Sequence, residues 1–239
     1  PPMVLVQGTA EIDDRDLDAN RERYQRESLE KLPALKSVTP PRAVRRMLNW
    51  YYTRIYVHVR PERVYVWPNA DGPLPEPQLF GAHLEEVRSG HSEEPERFHA
   101  DPEGGLDAWH PRLGELGTTY KTAVISIVSP DGFPFAVRVP VSAHQGTRRI
   151  RLEGELTGMP LQPGLACLTA HVHAEEFKWQ QNFQVRGDLV FAQDHWEVIP
   201  HRIVGGFEIP KSPVAALRQN LNKARRFRRV AKRELARRG

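Results

Sequence analysis

The chain has 239 residues, of which 39% are hydrophobic and 27% charged, so it can bury a packed core and is not wholly disordered. A single cysteine excludes an internal disulfide framework and a cysteine-based zinc cluster, and no apolar run approaches the roughly 18 residues that span a bilayer, so a cytoplasmic protein is expected. The net charge of +4 is uneven: residues 211–239 hold eleven Lys or Arg and one acid, whereas the rest of the chain is net acidic.

The first elements in chain order are a predicted strand and a predicted helix. Residues 3–12 (MVLVQGTAEI) alternate apolar and polar side chains, which is typical of a strand. Residues 13–32 have helical spacing of their apolar side chains, with Asp13 or Asp14 as the expected N-cap. Because the chain opens on Pro-Pro and enters a strand at once, a preceding segment is expected to be missing.

A strand hairpin is predicted over residues 53–68 (TRIYVHVRPERVYVWP), with R-P-E-R at its turn. Arg54, Arg60 and Arg63 lie among tyrosines and a tryptophan in this region. We interpret them as solvated arginines that pack over the aromatic rings. Contacts with nucleic acid or with a cofactor phosphate are the alternatives.

Residues 68–115 differ from their surroundings in composition. They are rich in proline and glycine and contain eleven acids and three arginines. Only residues 83–90 (HLEEVRSG) have helical character. This composition predicts an acidic linker or a long surface excursion.

Residues 116–210 contain the strongest β signals. TAVISIV and FAVRVPV flank the turn sequence SPDGFP, which predicts a hairpin. Further strands are predicted within residues 147–156, 164–174, 183–192 and 195–210. Five or six short strands with little helix between them indicate a closed or partly closed barrel.

The last element is a predicted amphipathic helix over residues 214–236, with an apolar stripe and a strongly basic remainder. Its charge could neutralise the phosphates of RNA or DNA. Its apolar stripe could instead pack on protein or lie on a membrane surface. The acidic segment 68–115, in this chain or in a second copy, is a third candidate partner.

Several of these stretches resemble the pyridoxamine 5′-phosphate oxidase-like, flavin-binding split β-barrel superfamily. KTAVISIVSPDGFPFAVRVPV is similar to its opening hairpin with a D-G-x-P turn, and FQVRGDLVF to a later strand. PPMVLVQGTAEIDD and YYTRIYVHVRPERVYVWP resemble the late strand and closing hairpin of another copy. The resemblance implies a mainly β fold with flanking helices (α+β). Its parts are the end of a first split barrel (1–67), a linker (68–115), a second split barrel (116–210) and a basic C-terminal helix (211–239).

The resemblance also implies a cofactor, FMN or a deazaflavin, at the seam between two barrels of a homodimer or of an intrachain pseudodimer. At the positions that match the family, the residues expected to bind the cofactor phosphate are Arg138, Arg149 and Arg151. The residues expected to contact the ring or the substrate are Lys178, Trp179, Gln181 and Asn182. The family's Ser/Thr-x-Lys/Arg phosphate grip is missing from GELTGMPLQPGLA. No side chain stands out as a general acid or base.

Two functions are therefore expected as alternatives. The first is a flavin- or deazaflavin-dependent oxidoreductase acting on a small molecule. The second is a cofactor-free barrel that contacts RNA, a ribosomal surface or a protein through residues 211–239. His171 and His173 point the same way on a predicted strand and could bind a metal with His144 or Glu175, but no third ligand has fixed spacing. No metal ligand is assigned.

Overall fold

A computed structural model describes residues 2–31, 55–68, 75–81, 109–156, 158–174, 179–206 and 212. The chain divides into two compact units. One contains Pro1–Gly8 and Pro61–Pro210, and the other contains Thr9–Arg60 and Lys211–Gly239. Almost all of the basic segment 211–239 lies outside the described residues, so its predicted helix stays a prediction.

Strand β1 (Met3–Asp13) and helix α1 (Leu17–Lys31) open the chain in the predicted order. The predicted cap was wrong, because Asp16 caps the helix in place of Asp13 or Asp14. Its Oδ1 accepts the backbone N–H groups of Asp18 and Ala19 at 3.1 and 2.9 Å. An N-cap side chain accepts hydrogen bonds from the free N–H groups of the first turn, so it must lie directly before the helix. The helix begins at Leu17, later than predicted, and the capping residue is therefore Asp16.

Residues Tyr56–Trp67 form one continuous strand, β2, and the predicted turn at R-P-E-R is wrong. Strand β3 (Gln78–Gly81) pairs antiparallel with Arg63–Val66 only, in a sheet of order β1-β2-β3. Pro61 lies beyond the end of β3, so its missing N–H costs no hydrogen bond to that strand. The sequence did not predict β3, whose four residues are all exposed and lie within the segment interpreted as a linker.

Arg63 is buried, which contradicts its interpretation as a solvated arginine. Only 4% of it is exposed, and its Nη1 pairs with Asp131 in the turn after β4. Its Nε donates to Gln7 Oε1, and its guanidinium lies 4.2 Å from the ring centroid of Phe133. Gln7 Nε2 in turn donates to the carbonyl oxygen of Pro134 at 2.7 Å. This set of contacts, here the Arg63 cluster, ties β1 and β2 to the predicted SPDGFP turn.

Six strands form a closed antiparallel barrel in the order β4-β5-β6-β9-β8-β7, which confirms the predicted barrel and the mainly β character of the described chain. The strands are β4 (Thr122–Val128), β5 (Pro134–His144), β6 (Arg149–Leu152), β7 (Gly164–His173), β8 (Gln180–Ala192) and β9 (His195–Gly205). A short 3-10 helix, Pro111–Glu115, precedes them.

Alternation along the strands separates the core from the outer wall. In β4, Ala123, Ile125 and Ile127 are buried, and the residues between them are half-buried. The same alternation holds along β5 and β7, which share this core. Side chains at the intervening positions of these strands therefore lie on the outer wall of the barrel.

Gly187 in VRGDLVF has a steric reason to be glycine. A Cβ at this position would lie 2.0 Å from the carbonyl oxygen of Ile199, and the β8–β9 register shifts at this point. Close approach of two backbones at a bulge leaves room for no side chain. Among the described helices, none is long and apolar enough to cross a membrane.

Candidate functional site

The outer wall of four neighbouring strands, β5-β4-β7-β8, carries a group of polar side chains. Val124 on β4 lies opposite Arg138 of β5 on one side and opposite Thr169 of β7 on the other. On β7 and β8, His171 lies opposite Asn182. Residues that are two apart on a strand share a face, so these pairs form adjacent rows on the outside of the barrel.

Arg138 is the centre of this group. Its Nη1 donates to Thr122 Oγ1 at 3.3 Å, and its Nη2 contacts His171 Nε2 at 2.9 Å. A guanidinium has donors and no acceptor, so His171 Nε2 must be the acceptor in this contact. His171 is then neutral, with its proton on Nδ1.

The positive charge of Arg138 is not balanced by any of the residues that the structure describes. Within the described part of the chain, no carboxylate forms an ion pair with it, and burial lowers the pKa of its guanidinium from the ordinary value. Burial also lowers the pKa of His171, as do the positive charge of Arg138 and the proximity of His173. A half-buried cation with only neutral partners is unfavourable, and an anion placed beside it would offset that cost.

The two histidines have different partners. Their rings stack with centroids 5.9 Å apart, while His173 Nδ1 lies 3.0 Å from the carbonyl oxygen of Ala174 and donates to it. No group of three His, Cys, Asp or Glu side chains suited to a metal ion occurs in the described residues. His144, a candidate third ligand, instead contacts Ser142 Oγ at 3.0 Å, and Glu175 lies outside the described residues.

The four residues predicted to contact a cofactor ring or substrate do not share one face of the barrel in the structure. Strand β8 begins at Gln180, three residues earlier than expected, so Gln181 and Asn182 point to opposite faces of it. Asn182 lies on the outer wall beside His171, and Gln181 is exposed on the other face. Trp179 precedes the strand, and its carbonyl oxygen accepts the N–H of Ala174 at 3.0 Å. Lys178 lies outside the described residues.

The position of Asn182 requires a glycine at residue 206. A Cβ at Gly206 would lie 1.7 Å from Asn182 Oδ1, so only glycine is compatible with this placement of the amide. The neighbouring row is also polar, with Gln184 Nε2 donating to Thr169 Oγ1 at 3.4 Å. Amide, hydroxyl and imidazole groups therefore lie on the same outer wall as the Arg138 guanidinium.

Arg149 and Arg151 lie elsewhere on the wall, on strand β6. Arg151 is opposite Ser142 on β5, four residues from Arg138, which is about 13 Å along a strand. Arg151 Nε also lies 3.5 Å from Glu153 Oε2, so this guanidinium already has a carboxylate partner. The structure thus does not bring the three arginines of the predicted phosphate site together.

Ser142, His144 and Glu153 do not form a nucleophilic triad, although they are in contact. Ser142 Oγ donates its proton to Glu153 Oε1, so it cannot donate to His144. A serine nucleophile needs the opposite order, in which the histidine accepts the hydroxyl proton.

Sequence reasoning missed the partners of Arg138. His171 was considered only as a possible metal ligand, and Thr122 was not singled out. The predicted β4–β5 hairpin contained part of the signal, because its register places Thr122 diagonally across from Arg138. His171 could not be placed in the same way, since β7 comes to lie next to β4 only in the folded barrel.

Comparison of the chain with protein-family models, with curated proteins and with solved structures gave no match.

Proposed function

We propose that this protein is an FMN- or deazaflavin-dependent oxidoreductase of the pyridoxamine 5′-phosphate oxidase-like split-barrel type, acting on a small molecule. The observation that carries the proposal is Arg138, a half-buried guanidinium on the barrel wall with no carboxylate partner in the described residues. A phosphate group is suited to such a position, because a guanidinium offers it paired donors and a permanent charge.

The residues around Arg138 fit an anionic flavin-type cofactor in part. Thr122 and His171 hydrogen-bond to the guanidinium, and Asn182 adds an amide with both a donor and an acceptor for the edge of a ring. The cofactor, when bound, supplies the electron or hydride transfer. The side chains of this chain bind and orient it.

Only part of the predicted set is used in this proposal. Arg138 and Asn182 share one face of the barrel and are assigned to the phosphate and to the ring, respectively. Arg151 has its own carboxylate and lies too far along the wall to share one phosphate with Arg138. The roles of Arg149, Lys178, Trp179 and Gln181 stay predictions from the sequence.

Titration of the purified chain with FMN and with a deazaflavin, followed by absorbance and fluorescence, tests the proposal. Loss of one charged hydrogen-bond partner is worth about 1.5–3 kcal/mol, so Arg138→Gln should weaken binding roughly 10- to 100-fold. Arg186→Gln is the matched control, because Arg186 is an exposed arginine elsewhere on the barrel wall. The proposal is wrong if the chain binds neither cofactor or if both variants weaken binding equally.

The alternative, a cofactor-free module that contacts RNA, rests on residues 211–239. These lie outside the described residues apart from Ser212, so no described contact favours it. It predicts RNA binding that weakens steeply with salt and disappears when 211–239 is deleted. Binding that survives the deletion would argue against it.

A further inference from the structure

We infer that His171 makes the Arg138 site selective for dianions, because a dianion binds there together with a proton that His171 takes from solvent. The inference deepens the proposed function and rests on it in one respect, since it takes Arg138 as the group that holds the anion. It adds the charge class of the ligand. A phosphate monoester in its doubly charged form is preferred to a diester or a carboxylate.

The first step of the argument is the contact between Arg138 and His171. Their nitrogen atoms are 2.9 Å apart, and the contact is favourable only while His171 Nε2 is an acceptor. A proton on Nε2 would set two donors and two positive charges against each other. The hydrogen bond would break, and the Nη2 donor of Arg138 would become available to another acceptor.

The described residues around His171 supply no negative charge to offset that second positive charge. The groups that face it are Arg138 from β5, Thr122 from β4, His173 from its own strand and Asn182 from β8. Thr122 and Asn182 are uncharged. Burial is the largest cause of the lowered pKa of His171, and the charges of Arg138 and His173 lower it further. In the described residues, no carboxylate forms an ion pair with His171.

An anion changes this balance. Negative charge beside Arg138 favours the protonated form of His171, and linkage requires that protonation favour the anion to the same degree. Arg138 and a protonated His171 together carry two positive charges, which a dianion can balance. A monoanion is balanced by Arg138 alone and gains little from the proton. Affinity for a dianion should therefore fall as pH rises, by up to tenfold per pH unit when one proton accompanies each anion.

Sulfate is the probe that tests this, because it stays doubly charged across the pH range in which histidine titrates. The full chain is titrated with sulfate between pH 5.5 and 8.5 at constant ionic strength, with nitrate as the singly charged control. The imidazole signals are followed by NMR, and His171→Gln assigns the signal of His171. Sulfate should raise the pKa of His171, and nitrate should not.

Three variants separate the roles of the side chains. Arg138→Gln should abolish sulfate binding at this site. His171→Gln keeps an acceptor for Arg138, and its sulfate affinity should be independent of pH. His173→Gln is the matched control, since His173 stacks on His171 without contacting Arg138 in the described structure, and it should keep the pH dependence.

The inference is overturned if the chain does not bind sulfate at pH 5.5, if sulfate leaves the pKa of His171 unchanged, or if His171→Gln keeps the pH dependence. Its failure can be told from that of the proposed function. FMN binding that requires Arg138, with no proton uptake by His171, would leave the proposed function standing without the inference. If sulfate binding is coupled to protonation of His171 but the chain binds neither FMN nor a deazaflavin, the inference stands and the proposed function is wrong.

Discussion

Two arginines of the same compact unit, Arg63 and Arg138, have opposite environments. Arg63 is almost fully buried, pairs with Asp131, donates to Gln7 and lies against the ring of Phe133. Arg138 is half-buried, and its hydrogen-bond partners among the described residues are a hydroxyl and a neutral imidazole. The first charge is balanced within the fold, and the second is not balanced by any described residue.

The difference shows how a buried charge can be assigned to structure or to binding. Burial alone would raise the pKa of Asp131, but hydrogen bonds from Arg63 and Ser129, with the charge of Arg63, lower it below its ordinary value. The two members of that pair stabilise each other's charged form. Arg138 lacks such a partner, which is the reason for expecting an external anion there.

Asp131→Asn should have the largest effect on stability. The substitution keeps the shape of the side chain and removes its charge, so Arg63 is left buried without its carboxylate. We expect a loss of about 3 kcal/mol in the free energy of unfolding, the usual cost of breaking a buried pair. Urea unfolding measures it, with Asp194→Asn at an exposed turn as the matched control. A loss below about 1 kcal/mol would contradict the structural role of the Arg63 cluster.

Arg63→Gln and Arg138→Gln compare the two arginines directly. The first should destabilise the fold by several kcal/mol, because Asp131 loses its partner, and the second should change stability by about 1 kcal/mol or less, because an unbalanced charge is removed. Paired urea unfolding curves give both values. Equal losses at the two positions would show that Arg138 is also a structural residue.

Acidification should affect the two regions in different pH ranges. His171 has a lowered pKa in the folded state, so the unfolded chain binds its proton first and stability falls as pH drops below about 6.5. Asp131 also has a lowered pKa, so its contribution is present at neutral pH and is lost only as pH falls below about 3.9.

Unfolding free energy measured against pH separates these contributions. His171→Gln should flatten the curve just below pH 6.5, and Asp131→Asn should flatten it only below about pH 4. If either variant changes the slope in the other range, the assigned pKa direction is wrong for that residue.

Arg60→Gln should have the smallest effect. Arg60 lies three residues before Arg63 on β2, but 82% of its side chain is exposed, and it is 3.6 Å from Glu11, which is 58% exposed. Exposed ion pairs contribute about 0–1 kcal/mol, and salt weakens them further. A measurable loss in urea unfolding at high salt would contradict this view of the pair.

Much of the barrel could be predicted from the sequence, because alternation and turn residues are local signals. Strand β4 was predicted to the residue and β7 to within one residue, whereas β5 extends three residues beyond its predicted end and β9 ends five residues before its predicted end. The errors came where local signals conflicted with pairing. Pro61 suggested a turn but lies inside one strand, and β3 forms by pairing with β2 although its own side chains are exposed.

The sequence by itself determined the strands of the barrel and the faces that their side chains occupy, since a period of two needs only neighbouring residues. It did not determine which arginine has its positive charge neutralised by a carboxylate. Arg63 meets Gln7 from 56 residues away, and Arg138 meets His171 from 33 residues away. Such contacts arise only when distant strands become neighbours, so the tertiary structure alone decided that Asp131 neutralises Arg63 and that the charge of Arg138 faces a neutral histidine.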